Sequence, residues 1–225
     1  MFFDRRQSRL VDEIAIERFG IPGIVLMENA GRSCANYLIE KTNGPVLVCC
    51  GTGNNGGDGF VIARHLENAG RNCSIVLSGP EEKLAADAAV NFKIVKAMRL
   101  PVAKVDPDTG ASVIESAMTV DGDDPVVIVD ALLGTGAKGA LRRPMDLIVD
   151  IANRMPAVKI AIDIPSGLDC DNGSVSEPAF RAHATLTFVT QKTGFKSETA
   201  RQFTGAVHVM DIGVPADVVD QVAAS

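Results

Sequence analysis

The chain has 225 residues, 46% of them hydrophobic and 22% charged, with a formal net charge of −6. That is the profile of a globular protein able to bury one large core, and the acidic balance, absent Trp and single tyrosine (Tyr37) argue against a nucleic-acid footprint. Five cysteines without C-x-x-C spacing (Cys34, Cys49, Cys50, Cys73, Cys170), and no apolar run of signal-peptide or membrane-span length, lead us to expect a complete, reduced, cytoplasmic protein with neither disulfides nor a zinc site.

Two helical patterns come first. QSRLVDEIAIERFG places Leu10, Ile14 and Phe19 on roughly one face and can end at Gly20, and GIVLMENAGRSCANYLIEK is apolar along Leu26, Ala30, Cys34 and Leu38. These N-terminal helices, within residues 1–43, are expected to pack on an α/β body. After Gly44 the chain becomes a series of short apolar runs. Residues 45–50, 73–78, 101–105, 125–133, 158–165, 184–189 and 206–213 read as strands, most of them apolar on consecutive positions as in sheets covered on both faces. Helices are predicted over Gly57–Ala69, Glu81–Met98, Ala111–Met118 and Pro144–Asn153, with Pro144 in the first turn of the last. This alternation predicts a single-domain, three-layer αβα Rossmann-like sandwich over residues 1–225 with a mostly parallel central sheet. No helical pattern separates the last two strands, so that edge is expected to be partly antiparallel.

In such a sheet ligands bind beyond the carboxyl ends of the strands. Three strand ends carry unusual chemistry: GTGNNGGDGF (51–60), VDALLGTGAKGALRRP (129–144) and AIDIPSGLDCDNG (161–173). The first begins with G-x-G-x-x-G, but the acidic residue that a dinucleotide fingerprint requires after the next strand is missing, since that strand runs into Leu77-Ser78-Gly79-Pro80. Neither glycine loop continues to Gly-Lys-Ser/Thr, so a phosphate loop for nucleotide hydrolysis is excluded as well. Glycine-rich backbone at a helix start still suits a phosphate, which points to a phosphorylated small molecule rather than an ordinary redox cofactor. Asn55, Asp130 and Ser166 offer hard oxygen ligands with one carboxylate, a set that suits a monovalent cation such as K⁺; taken singly each reads first as a turn-stabilising side chain, and together they read as a site. Asp163, followed by Ile164 and Pro165, is the candidate acid or base, expected to have a pKa raised by partial desolvation. Lys192 could reach the same edge or be a solvated lysine. His65, His183 and His208 have no partner at metal or triad spacing and read as structural.

Five blocks in order, IPGIVLMENAGR, GTGNNGGDGFVIARHL, VDALLGTGAKG, AIDIPSGLD and TFVTQKTG, resemble the NAD(P)H-hydrate epimerase family, the domain often found N-terminal to a hydrate dehydratase. The resemblance implies a Rossmann-like fold, often dimeric, that interconverts the R and S forms of hydrated NADH or NADPH. A dehydratase on a separate chain would then restore the cofactor. By motif, Asn54, Asn55, Gly56, Gly57, Asp58, Gly134, Thr135, Gly136, Ala137, Lys138, Gly139 and Ala140 would line the substrate. Asp163 would contact it, Asp163 and Lys192 would be catalytic, and Asn55, Asp130 and Ser166 would hold K⁺. The turn after Lys192 is KTG where the family more often has KPG. The competing expectation is a non-catalytic interaction scaffold of the same fold; a scaffold is expected to lose the acid or a cation ligand, and Asn55, Asp130 and Asp163 are all present.

Overall fold

The computed structural model describes residues 1–120 and 125–224. The chain opens with a two-residue strand, β1 (Phe2–Phe3), and α1 (Arg5–Glu17). A capping box starts α1: the Asp4 carboxylate accepts from the Gln7 amide at 2.7 Å, and the Gln7 side chain accepts from the Asp4 amide at 3.2 Å. α2 (Gly23–Lys41) follows, then β2 (Val46–Cys50), α3 (Asn54–Asn68), β3 (Cys73–Ser78), α4 (Ala86–Ala97), β4 (Val102–Val105), α5 (Ala111–Ala117), β5 (Val127–Ala131), α6 (Met145–Arg154) and β6 (Val158–Ile162). The last part holds β7 (Ala184–Phe188), β8 (Gln191–Lys192), α7 (Glu198–Thr204), β9 (Ala206–Met210) and α8 (Ala216–Ala223).

The central sheet runs β4-β3-β2-β5-β6-β7-β9 with every pair parallel. Strand residues alternate between two cores. Val46, Val48 and Cys50 of β2 face α2, α3 and α4 through Leu38, Phe60 and Phe92, while Leu47 and Cys49 face α5 and α6 through Ile114, Ile148 and Val149. Both faces are covered, which makes the consecutive apolar runs necessary and gives the three-layer αβα sandwich that the alternation predicts. All five cysteines are buried, Cys34, Cys49, Cys50 and Cys73 in these two cores and Cys170 in a smaller cluster with Ile164, Leu168 and Phe195, and burial pushes the Cys73 and Cys170 thiols up to about 12, so they act as small hydrophobes.

The β9 edge corrects one expectation. It is parallel to β7, with Ala184 opposite Ala206 and Phe188 opposite Met210, because α7 makes the crossover. That helix has seven residues, too few to show a period, and it buries Ala200 and Phe203. α8 also lacks a clear signal in the sequence; its Val218 and Val222 pack with Phe3 and Val11 and so dock α1 onto the C-terminal segment. Two helix starts differ from prediction. α3 begins at Asn54, so both asparagines are helical, and the segment from Glu81 is a short 3₁₀ turn before α4 begins at Ala86. Among the described residues, no helix is long and apolar enough to cross a membrane.

From β2 the chain steps outward to β4, then returns to β5 on the other side of β2. The connections therefore leave in opposite directions between β2 and β5, which opens a crevice at the carboxyl ends of these strands.

Candidate active site

A cavity of about 630 Å³ lies over that crevice. Its floor is made by the loop after β2, the loop after β5 and the turns after β6 and β7; α1 and α2 form its far wall. Two of the glycines in the first loop are there for close packing. A Cβ on Gly51 would stand 2.0 Å from the Leu132 carbonyl oxygen, and one on Gly56 would stand 1.9 Å from the Gly51 carbonyl oxygen. A Cβ on Gly53 would meet nothing within 4 Å, and this residue lines the cavity. The loop is thus pressed shut at its base and open where a ligand would approach.

The strand ends at β6 and β7 share an unusual turn. Asp163 and Val189 both have φ of 65°. The Ile164 amide donates to the Ile162 carbonyl at 2.8 Å, and the Thr190 amide donates to the Phe188 carbonyl at 2.7 Å. Each is therefore the centre of a three-residue γ-turn of the rare positive-φ kind, a conformation that costs about 1–3 kcal/mol. Such strain persists only where surrounding contacts enforce it.

Those contacts define the site. Asp163 Oδ2 accepts from the Thr135 amide at 2.7 Å and the Thr135 hydroxyl at 2.6 Å, and Oδ1 lies 3.0 Å from Lys192 Nζ. Lys192, 3% exposed in its side chain, also donates to the Phe188 carbonyl at 3.1 Å. Burial alone would raise the Asp163 carboxyl, but the Lys192 charge and the Thr135 hydrogen bonds outweigh it and hold Asp163 below its ordinary value. The expected upward shift is corrected: Asp163 is an ionised carboxylate in a buried ion pair, and Lys192 is its partner rather than a solvated lysine.

Asp58 behaves in the opposite way. It sits on the first turns of α3, is 8% exposed, and is pushed well above the ordinary carboxylate range by burial and then by the charges of Asp163 and Asp12. Asp12 comes from α1. Its side chain stays accessible at the mouth, yet it stands within concave walls, and desolvation followed by the Asp163 charge lifts it to about 6. Sequence reasoning missed Asp12 because it read α1 only for its apolar stripe; Ser8, Asp12 and Ile16, spaced by four, form a second stripe that faces the cavity.

The second glycine loop is held from both ends. Asp163 takes the Thr135 donors, and Arg5, 5% exposed, takes the carbonyls: Nε donates to Thr135 O at 2.6 Å and Nη2 to Ala137 O at 2.9 Å. Arg5 is itself oriented by Asp171 at 2.6 Å and Asp169 at 3.1 Å. Of the expected substrate residues, Asn54, Asn55, Asp58, Gly134, Thr135, Gly136, Ala137 and Asp163 line the cavity. Gly56, Gly57, Lys138, Gly139 and Ala140 do not. The histidines are engaged elsewhere, His65 with Glu28, His183 with the Lys159 amide and His208 with Tyr37.

Asp130 and Ser166 lie beneath the floor, 0% and 1% exposed. The Asp130 carboxylate accepts from the Ser166 hydroxyl at 2.8 Å and from the Ser166 and Leu132 amides at 2.7 and 3.1 Å. These bonds stabilise the turn, and they leave a fully buried carboxylate with no cationic side chain paired to it among the described residues. Above them the Asn55 amide nitrogen donates to the Ile162 carbonyl at 3.2 Å, while its buried Oδ1 has no partner. An orphaned amide oxygen, an uncompensated carboxylate and a hydroxyl fit a weakly hydrated monovalent cation. Among the described residues, no cluster of three or more His, Cys, Asp or Glu could hold a harder-bound metal.

Comparison with known proteins agrees with this architecture. A family model described as the YjeF-related protein N-terminus matches residues 23–194. An NAD(P)H-hydrate epimerase of Rhodopirellula baltica is 44% identical over 96% of this chain and 86% of its own, and one of Pirellula staleyi is 40% identical over 99% and 96%. A bifunctional NAD(P)H-hydrate repair enzyme of Pyrobaculum aerophilum is 40% identical over 88% of this chain, but the match covers 39% of that protein. The crystal structure of the yeast protein YNL200c superposes with a TM-score of 0.79 over 99% of this chain and 93% of its own, at 24% identity, and shows the same fold.

Proposed function

The chain belongs to the family of the YjeF-related protein N-terminus, and we infer that it is an NAD(P)H-hydrate epimerase, an isomerase of nicotinamide-cofactor repair. What carries the chemistry is one cavity in which the ion pair with Lys192 and the Thr135 hydrogen bonds hold Asp163 below its ordinary range, while burial pushes Asp58 well above it. Two carboxyl groups whose surroundings push them apart make a base and an acid.

The substrate carbon to be inverted bears a hydroxyl and is bonded to the ring nitrogen. In the route by loss and return of water, Asp58 gives its proton to the departing hydroxyl and the nitrogen lone pair forms a C=N bond. Water then adds to the opposite face and yields a proton to Asp163; the protons balance once Asp163 returns one to Asp58. Lys192 keeps Asp163 charged and so available to accept. Gly53 and the 134–137 loop leave room and backbone donors for the dinucleotide's phosphates. K⁺, held by Asn55, Asp130 and Ser166, would supply positive charge under the loops that shape the floor. The chain works as a homodimer in the cytoplasm, in sequence with a dehydratase on another chain.

The test is to mix purified protein with a single hydrate epimer and follow the approach to the R/S equilibrium by chromatography, with and without K⁺. Faster equilibration than the spontaneous background is expected, and Asp163→Asn should remove the acceleration while ligand binding persists. Equilibration at the background rate would favour the scaffold reading, and near wild-type turnover by Asp163→Asn would refute the role given to that carboxylate.

A further inference from the structure

The cavity wall built by α1 lies outside residues 23–194, the part of the chain that the family model matches. Asp12, Asp58, Asp163 and Lys192 are ionisable groups of the lining, and Arg5 stands behind the second glycine loop. The lining carries two more ionisable side chains, Asp87 and Arg9. A nicotinamide dinucleotide brings at least two negative charges on its pyrophosphate, into a cavity lined by four aspartates. Lys192 is committed to Asp163, and Arg5 to Asp169, Asp171 and two carbonyls. Among the described residues, that leaves Arg9 as the one cationic side chain of the lining without an ion pair or hydrogen bond.

Its placement is specific. Helix geometry offers Arg9 an acidic neighbour at each of two favourable spacings, Asp12 and Glu13, and it pairs with neither. Instead the guanidinium overhangs the second glycine loop, where a Cβ on Gly136 would stand 3.7 Å from Nη2. The Gly136 amide has no acceptor among the described residues. Beside Arg9 on the same wall, the covered Ser8 hydroxyl also lacks a partner. Arg5, one turn earlier on α1, fixes the helix to this loop through Thr135 and Ala137, so the relation between Arg9 and Gly136 is held from the helix side. A planar fork of unpaired donors close to a backbone amide that has no acceptor, both on the lining of an open cavity, has the parts of a phosphate clamp.

We propose that Arg9 binds a phosphate of the substrate's pyrophosphate, closing from α1 a clamp whose other jaw is the Gly134–Ala137 loop. The proposal rests on the epimerase reading for the identity of the substrate but not for the phosphate chemistry. Arg9 is exposed, and alanine is a good helix former, so Arg9→Ala should fold; a circular-dichroism melt checks this.

Calorimetric titration with ADP-ribose, which keeps the pyrophosphate and lacks the nicotinamide, is the direct probe. Losing a charge-assisted contact predicts binding about 10- to 100-fold weaker in Arg9→Ala, with partial recovery in Arg9→Lys. Phosphate-free nicotinamide riboside should bind both proteins alike. In turnover, the KM for the hydrate should rise by a similar factor while kcat stays nearly unchanged, since the contact is remote from the reacting carbon. ADP-ribose affinity unaltered by Arg9→Ala, an equal loss for nicotinamide riboside, or no ADP-ribose binding by the wild type would overturn the proposal. If the wild type binds ADP-ribose in an Arg9-dependent way yet fails to equilibrate the hydrates, the epimerase reading falls and the phosphate clamp stands.

Discussion

Replacing Lys192 by Met tests the electrostatic heart of the site. Methionine fills most of the volume and removes the charge, so Asp163 loses its cation while keeping both hydrogen bonds from Thr135. The pair is separated by 3.0 Å, and Coulomb's law at an effective dielectric constant of about 20 gives roughly 5–6 kcal/mol of attraction. Breaking a buried pair by removing one member costs about 3–5 kcal/mol, and the surviving Thr135 bonds argue for the lower half of that range. The pH dependence gives the sharper signature. In the wild type, Asp163 is held below its ordinary value, so its contribution is present above the unfolded-state pKa and is lost as pH falls through the folded one. In Lys192→Met, burial is left as the largest influence and the carboxyl moves above its ordinary value. The charged form then destabilises the variant increasingly as pH rises. The gap between the two proteins should therefore be widest near neutrality and narrow as pH falls toward about 4, because the variant's raised carboxyl takes up its proton over that range. Urea unfolding of both proteins across this range measures it. Asp163→Asn/Lys192→Met should recover most of the loss, since neither charge is then left alone. A gap below about 1 kcal/mol, or one that does not change with pH, would show that the pair does not set the charge state of Asp163.

Two further outcomes follow from the loops. Gly56→Ala drives a Cβ into the Gly51 carbonyl oxygen, backbone against backbone, and should cost at least the roughly 1–3 kcal/mol typical of overpacking; Gly53→Ala, which meets nothing, should melt with the wild type yet bind ADP-ribose more weakly. Similar melting temperatures for both variants would refute the division of roles within this motif. For the cation, KCl should raise the melting temperature relative to choline chloride at equal ionic strength, by the mass-action stabilisation of a bound ligand, and Asn55→Ala should abolish the difference. An Asn55→Ala variant that keeps the full K⁺ response would remove that residue from the ion site.

Periodicity and strand ends made most of this architecture legible. Consecutive apolar residues in β2, β5 and β6 are what a doubly covered parallel sheet demands, and the loops that line the cavity begin where these runs end. The β9 edge was misread because α7 has only seven residues and its crossover leaves no period to detect. The charge state of Asp163 was misread for a different reason. Its direction depends on a partner 29 residues away, and Lys192 is brought to it only by the γ-turn at Val189, a conformation that a β-branched residue does not advertise. Arg5, Arg9 and Asp12 stayed hidden because α1 carries an apolar stripe and a polar one, and only the packing of Val218 and Val222 against Phe3 and Val11 decides which stripe meets the cavity.

These features depend on one another. The Asp163 turn is strained, and its carboxylate is spent on Thr135 and Lys192, so the strain is offset by the same bonds that set its charge. Thr135 passes the constraint to the second glycine loop, whose carbonyls are drawn the other way by Arg5. With its donors turned to Asp163 at one residue and its carbonyls to α1, the loop has little freedom left, and Gly136 is held close to the Arg9 guanidinium. The acid–base pair and the phosphate clamp therefore share one mechanical element. Positioning of the dinucleotide tail should be coupled to positioning of the reacting ring through the Gly134–Ala137 segment, rather than through the sheet beneath it.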